Sequence, residues 1–106
     1  MGRGKYSNIL ENVRISKPKK TAKQLERHCK GVANHRRIDI LFLVAENKGI
    51  SVDEIAEYLK CNLKTISEHT RRLAQAGLVN KQYRGRSVMH TLSPYGIVFY
   101  RFLKKF

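Results

Sequence analysis

The sequence predicts one mainly α domain that carries a small β-hairpin before a last helix. Three observations lead there. Apolar residues recur at helical spacing as far as Gly77, the period then drops to about two, and it turns helical again after Ser93-Pro94. With 106 residues there is material for one modest hydrophobic core and no second domain. Residues 1–20 read as a basic arm, partly flexible, because Gly2, Gly4 and Pro18 interrupt scattered charges and the only apolar cluster is Ile9, Leu10, Val13 and Ile15. A short helix or strand over Asn8 to Ile15, docked on the body, is the competing expectation. Residues 21–106 form the folded domain.

Thr21 is an N-cap, and Ala22, Leu25, Cys29 and Val32 then fall at i, i+3, i+7 and i+10, the stripe of an amphipathic helix ending near Gly31. Cys29 on that stripe is expected to be a small core residue. Between Asn34 and Lys48, the run Ile38-Asp39-Ile40-Leu41-Phe42-Leu43-Val44-Ala45 is apolar on nearly every side, as a central core helix would be, and Gly49 stops it. Ser51 to Glu54 matches a capping box, opening a helix that turns Val52, Ile55, Ala56 and Leu59 inward. Lys60-Cys61-Asn62 breaks it, Asn62 caps a further helix from Leu63 to about Ala76, and Gly77 ends that one. Two helices across so tight a turn make a helix-turn-helix. Leu78 to Tyr83 and Ser87 to Leu92 then read as the strands of a hairpin around Arg84-Gly85-Arg86. Ser93-Pro94 begins the final helix, expected to reach Phe106.

Charge narrows the function. Twenty-two Lys and Arg against eight Asp and Glu leave +14, more than solubility requires, and the excess calls for a polyanionic partner. The excess is segregated: +7 over residues 1–30, −2 over 31–57 and +9 over 58–106. No apolar run is long enough to span a bilayer, so the chain is expected to be soluble and cytoplasmic with no membrane partner. Cys29 and Cys61, with no CxxC pair, give neither a zinc framework nor a disulfide scaffold. No Ser/His/Asp grouping, carboxylate pair or phosphate-cradling loop is present, so no catalysis is expected. His69 borders the core side of its helix and is expected to be a satisfied, partly buried imidazole.

On a helical wheel centred on Ile66, Leu73, Thr70, Leu63 and Ala74 share the inward side, while Lys64, Glu68, Arg71, Arg72 and Gln75 lie opposite and Ser67 flanks them. Lys can meet guanine acceptors, Glu can accept from cytosine, and Arg can serve bases or phosphates. Asn62, Leu63, Lys64, Thr65, Ser67 and Glu68, at the start of the helix, would lie deepest in a major groove, with Arg71 and Arg72 nearer the backbone. Lys81, Arg84 and Arg86 on the hairpin form a second basic contact suited to a minor groove or to phosphates. Lys17, Lys19, Lys20 and Lys23 would add salt-sensitive phosphate contacts. The partner is thus expected to be double-stranded DNA.

The runs Gly49 to Leu59, Lys64 to His69, Leu73 to Val79 and Arg84-Gly85-Arg86 together resemble the winged helix-turn-helix repressors of the ArsR type, over roughly residues 33 to 92. The resemblance implies a homodimer on a palindromic operator, joined through its first and last helices, with the reading helices in successive major grooves. Three departures stand out. Ser51 to Leu59 carries no Cys-x-Cys pair, no His follows His90, and Leu63 and Lys60 replace a polar and a small residue. No metal or other cofactor is therefore expected, and the operator sequence does not carry over. The last helix supports the dimer independently, since its apolar arc is wider than docking on one domain needs. Leu25, Tyr95, Phe99, Phe102, Leu103 and Phe106 are the expected interface residues. Two other readings fit the charge: a non-specific or RNA-binding winged-helix module, and a protein-interaction domain whose charge serves only solubility.

Overall fold

The structure, a computed structural model, describes residues 10–106. Residues 1–9 of the expected arm, including Asn8 and Ile9 of the Asn8 to Ile15 segment, lie outside the described residues. Five helices and three strands lie wholly within them: α1 (Ala22–Val32), α2 (His35–Glu46), β1 (Ile50–Ser51), α3 (Val52–Leu59), α4 (Leu63–Gln75), β2 (Val79–Arg84), β3 (Ser87–Leu92) and α5 (Pro94–Leu103). The predicted order is observed, and one strand is added to it.

Local chemistry sets the helix starts. Thr21 and Gln24 close a capping box at α1, Ser51 and Glu54 another at α3, Asn34 and Asn62 accept backbone N–H groups at α2 and α4, and Ser93 caps α5 ahead of Pro94. Two helices end in Schellman motifs. At α4, Gly77 N–H donates to Ala74 O and Leu78 N–H to Leu73 O, each at 3.0 Å, with Gly77 at φ 75°. At α3 the same pair of bonds runs from Lys60 to Glu57 O and from Cys61 to Ala56 O, which leaves Lys60 at φ 54°.

A lysine in the left-handed region is strained by roughly 1–2 kcal/mol, and glycine there gives back about 0.4–1 kcal/mol through its freer unfolded chain. Lys60→Gly is therefore expected to raise unfolding free energy by about 0.5–1 kcal/mol, read from the urea midpoint. An unchanged or lower midpoint would show that the turn carries no strain.

The added strand, β1, is two residues long and pairs antiparallel with β3, Ile50 opposite His90, giving sheet order β1-β3-β2. β2 and β3 pair from Val79↔Leu92 to Arg84↔Ser87, so the hairpin turn is the two residues Gly85 and Arg86 rather than the three expected. Gly85 at φ 59° supplies the positive dihedral that such a turn demands at its first position.

The core gathers Val32, Ile40, Leu41, Val44, Ile55, Ala56, Ile66, Leu73, Ala76, Leu78 and Val79. Helix α2 runs through its middle, although Phe42 and Leu43 are only half-buried. Two expectations need correction. The stripe expected to bury α1 is largely exposed: Ala22, Leu25 and Cys29 face outward, and α1 docks instead through His28 and Val32. His28 Nδ1–H donates to Ala76 O at 2.5 Å, and its ring stacks on Tyr95 at 4.9 Å, so a hydrogen bond decides which side turns in. Cys29 is thus an exposed thiol and no core residue. The second correction is that α5 ends at Leu103, leaving Phe106 beyond the helix and 91% exposed.

Candidate nucleic-acid interface

Helix α4 is anchored from behind. Ile66, Thr70 and Leu73 are almost completely buried, and Thr70 Oγ1–H donates to Ser67 O at 2.9 Å inside the helix. Leu63, placed on the inward side by the wheel, is 47% exposed, because the first turn of α4 projects past the core and finds nothing to pack on. The front holds Asn62, Leu63, Lys64, Thr65, Ser67, Glu68, Arg71 and Arg72, all exposed. Asn62 is committed to capping, its Oδ1 accepting the Lys64 N–H at 2.7 Å.

Two of the front cations are tied to Glu68. Arg71 Nε and Nη2 reach its two carboxylate oxygens at 3.0 and 2.5 Å, and Arg72 Nε reaches Oε2 at 3.0 Å. These two guanidinium groups hold the Glu68 carboxyl at about 2. Spacings of i, i+3 and i+4 in the sequence already allow this triad. Glu68 is thus an acceptor already engaged with arginine, and it fixes where Arg71 and Arg72 point.

The hairpin projects beside α4. Tyr83, Arg84, Gly85 and Arg86 are exposed, while Lys81 is half-buried opposite His90. Tyr83, 73% exposed, went unnoticed in the sequence because its place in the alternation marks it as inward-facing, and the core ends before the hairpin tip. In the arm, Lys17 and Lys19 are exposed, but Lys20 Nζ sits 4.5 Å over the Tyr95 ring. Lys23 lies on α1.

Of the expected interface residues, Phe99 and Leu103 pack partly on their own core, whereas Leu25, Tyr95, Phe102 and Phe106 stay exposed. Tyr95, Val98, Phe102 and Phe106 form one stripe along α5 and past its end, 47%, 61%, 54% and 91% exposed. The His28–Tyr95 stack joins α1 to this stripe.

Two histidines make stability depend on pH. Burial lowers the pKa of His69, helped by the charge of Arg37, and Nδ1 of His69 is buried without a hydrogen-bond partner among the described residues. It is partly buried, as expected, but not satisfied. Burial also lowers the pKa of His90, with Lys81 adding to the effect and the bond to Ile50 O opposing it. Both groups bind a proton more readily unfolded, at 6.5, than folded, so their contribution is complete above that pH and is lost as pH falls below it. Glu68 acts only lower, being lost as pH falls from 4.5 toward 2. The urea midpoint is expected to drop between pH 7.5 and pH 5.5, and His69→Gln should flatten the drop. Equal slopes in both proteins would contradict the assignment to His69.

The family model described as bacterial regulatory protein, arsR family, matches residues 34–81, which run from the α2 cap to the middle of β2. Over that segment the chain is similar to the ArsR-type winged helix-turn-helix regulators. Its fold is also close to HlyU from Vibrio cholerae, 28% identical with a TM-score of 0.74 over 83% of this chain and 96% of that one. The homodimeric winged helix-turn-helix DNA-binding domain of Mb0332 from Mycobacterium bovis, a possible ArsR-family transcriptional regulator, is 25% identical, with a TM-score of 0.72 over 86% and 87%. HlyU from Vibrio vulnificus, at 23% identity and a TM-score of 0.68 over 99% and 97%, shares the fold. No curated protein matches the chain. The winged-helix regulator fold supports a DNA-binding role, and among the described residues no helix is long and apolar enough to cross a membrane.

Proposed function

We propose that this protein is a sequence-specific transcriptional regulator that binds double-stranded DNA as a homodimer, acts in the cytoplasm, and represses. One observation carries the reading: α4 buries Ile66, Thr70 and Leu73 behind and leaves Lys64, Ser67, Glu68, Arg71 and Arg72 exposed in front, next to a basic hairpin. Such a helix is rigid, cationic and of a width that enters a major groove. Lys64, Thr65, Ser67 and Leu63 face the base edges, the Glu68–Arg71–Arg72 triad meets the groove wall, and Lys81, Arg84 and Arg86 hold phosphates or the minor groove. The exposed stripe of Tyr95, Val98, Phe102 and Phe106, together with exposed Leu25 on α1, joins two copies, a reading supported by the homodimeric state of the Mb0332 domain. A folded domain occupying its site excludes other proteins from that duplex, and this favours repression.

Lys64→Ala is expected to weaken binding to the preferred duplex by about tenfold and to relax preference at one base pair, with little effect on random duplex. Lys19→Ala should weaken both duplexes alike and flatten the salt slope by about 0.9. Equal losses on preferred and random duplex for Lys64→Ala, measured by fluorescence anisotropy, would remove the base-reading role.

A further inference from the structure

Away from the reading face, α1, the first turn of α2 and the end of α4 enclose a groove of about 370 Å³. Its walls carry five cations, Lys23, Arg27, Lys30, Arg37 and Arg72, and one acid, Glu26. Three of the cations have partners. Lys30 meets Glu26 at 3.2 Å, Arg72 Nε is held by Glu68 at 3.0 Å, and Arg27 donates from Nε and Nη2 to the Gln75 carbonyl at 3.2 and 2.6 Å.

The side chains of Arg37 and Lys23 make no hydrogen bond and no ion pair among the described residues. The Arg37 Nε–H is fully withdrawn from solvent and still lacks an acceptor. A buried charged donor left without an acceptor is unfavourable, and the neighbouring cations add to that. The one acid in the walls, Glu26, is already paired with Lys30.

We propose that this groove is a binding site for a phosphate-class oxyanion, with Arg37 and Lys23 as its principal donors and Arg72 and Arg27 as flanking charges. The chemistry selects the ligand. A guanidinium fork matches two oxygens of a phosphate, and a doubly charged anion offsets several cations where a carboxylate offsets one. No aromatic or large apolar side chain lines the groove, so what is attached to the phosphate is polar, as a sugar is, and no base is stacked there. Two sources share this chemistry: the backbone of a duplex running past the end of α4, and a free phosphorylated small molecule. The site stands on its own lining and does not rest on the DNA-reading proposal.

The test titrates inorganic phosphate into the full chain at fixed ionic strength, without DNA, following the side-chain Nε–H signals of the arginines by NMR. A saturable shift of the Arg37 signal is expected, absent with chloride, and weakened about tenfold or more by Arg37→Gln. Lys23→Gln, on an exposed side chain that cannot compromise folding, should weaken it several-fold. A shift that never saturates, that chloride reproduces, or that both variants retain at wild-type strength would overturn the site. Adding a saturating duplex then separates the sources. Displacement of phosphate assigns the groove to the DNA backbone, and phosphate kept alongside bound duplex assigns it to a free ligand.

Discussion

Phe102→Asp is expected to yield a folded monomer that loses about a hundredfold or more in affinity for the preferred duplex. Phe102 is 54% exposed in the middle of the α5 stripe, and its ring meets Phe106 edge-on at 5.3 Å. Because it lies outside the protomer's core, its loss should leave the helix content and the melting of a single chain intact. In the proposed dimer the same face meets its own copy, so one substitution places two carboxylates in an apolar contact. Each half-site then binds separately, and the advantage of two linked reading helices disappears. Light scattering reads the mass and anisotropy reads the affinity. A variant that keeps twice the chain mass would remove α5 from the interface, and a wild-type chain that is already monomeric would remove the dimer.

Gly96→Ala is expected to destabilise the domain by about 3 kcal/mol, toward the upper end for overpacking, which in a domain of this size lowers Tm by roughly 15 °C. A Cβ at Gly96 would overlap the Leu78 carbonyl oxygen and lie 3.1 Å from its carbon, and 3.3 Å from Leu92 Cβ. The obstacle is backbone, and it is pinned. Leu78 N–H closes the Schellman motif on Leu73 O, and Leu78 O accepts the Ser93 N–H, each at 3.0 Å. Ser93 Oγ accepts the Gly96 N–H at 3.0 Å and donates to Gly77 O at 2.6 Å, so neither side of the contact can withdraw. Relief by shifting α5 would break these bonds together. Thermal unfolding by circular dichroism measures the loss, and a Tm within a few degrees of wild type would mean that α5 repositions freely.

The sequence made the helix starts legible because caps are local: Thr21 with Gln24, Ser51 with Glu54, and Ser93 with Pro94 act over three residues or fewer. What it hid depends on distant partners. The two-residue β1 exists only because β3 runs beside it forty residues later. The left-handed Lys60 lacks the glycine that marks such a turn elsewhere, as Gly77 does. Along α1 the spacing found an apolar stripe but not what covers it, and the His28 hydrogen bond turned Leu25 and Cys29 outward. The front of α4 was readable from its wheel, with Leu63 misplaced where the core runs out. The arrangement of Glu68 between two arginines was available in its spacing, whereas bringing Arg37, Lys23 and Arg72 to the walls of one groove required the packing of three helices.

If the exposed front of α4 reads duplex sequence in two symmetric copies, selection of bound fragments from a random duplex pool at physiological salt will reveal it. Enrichment of an inverted repeat is expected, its half-sites centred about 10–10.5 base pairs, one turn, or a whole multiple of that, apart. A pool that stays random after repeated rounds, or equal retention of unrelated duplexes and RNA, would contradict it.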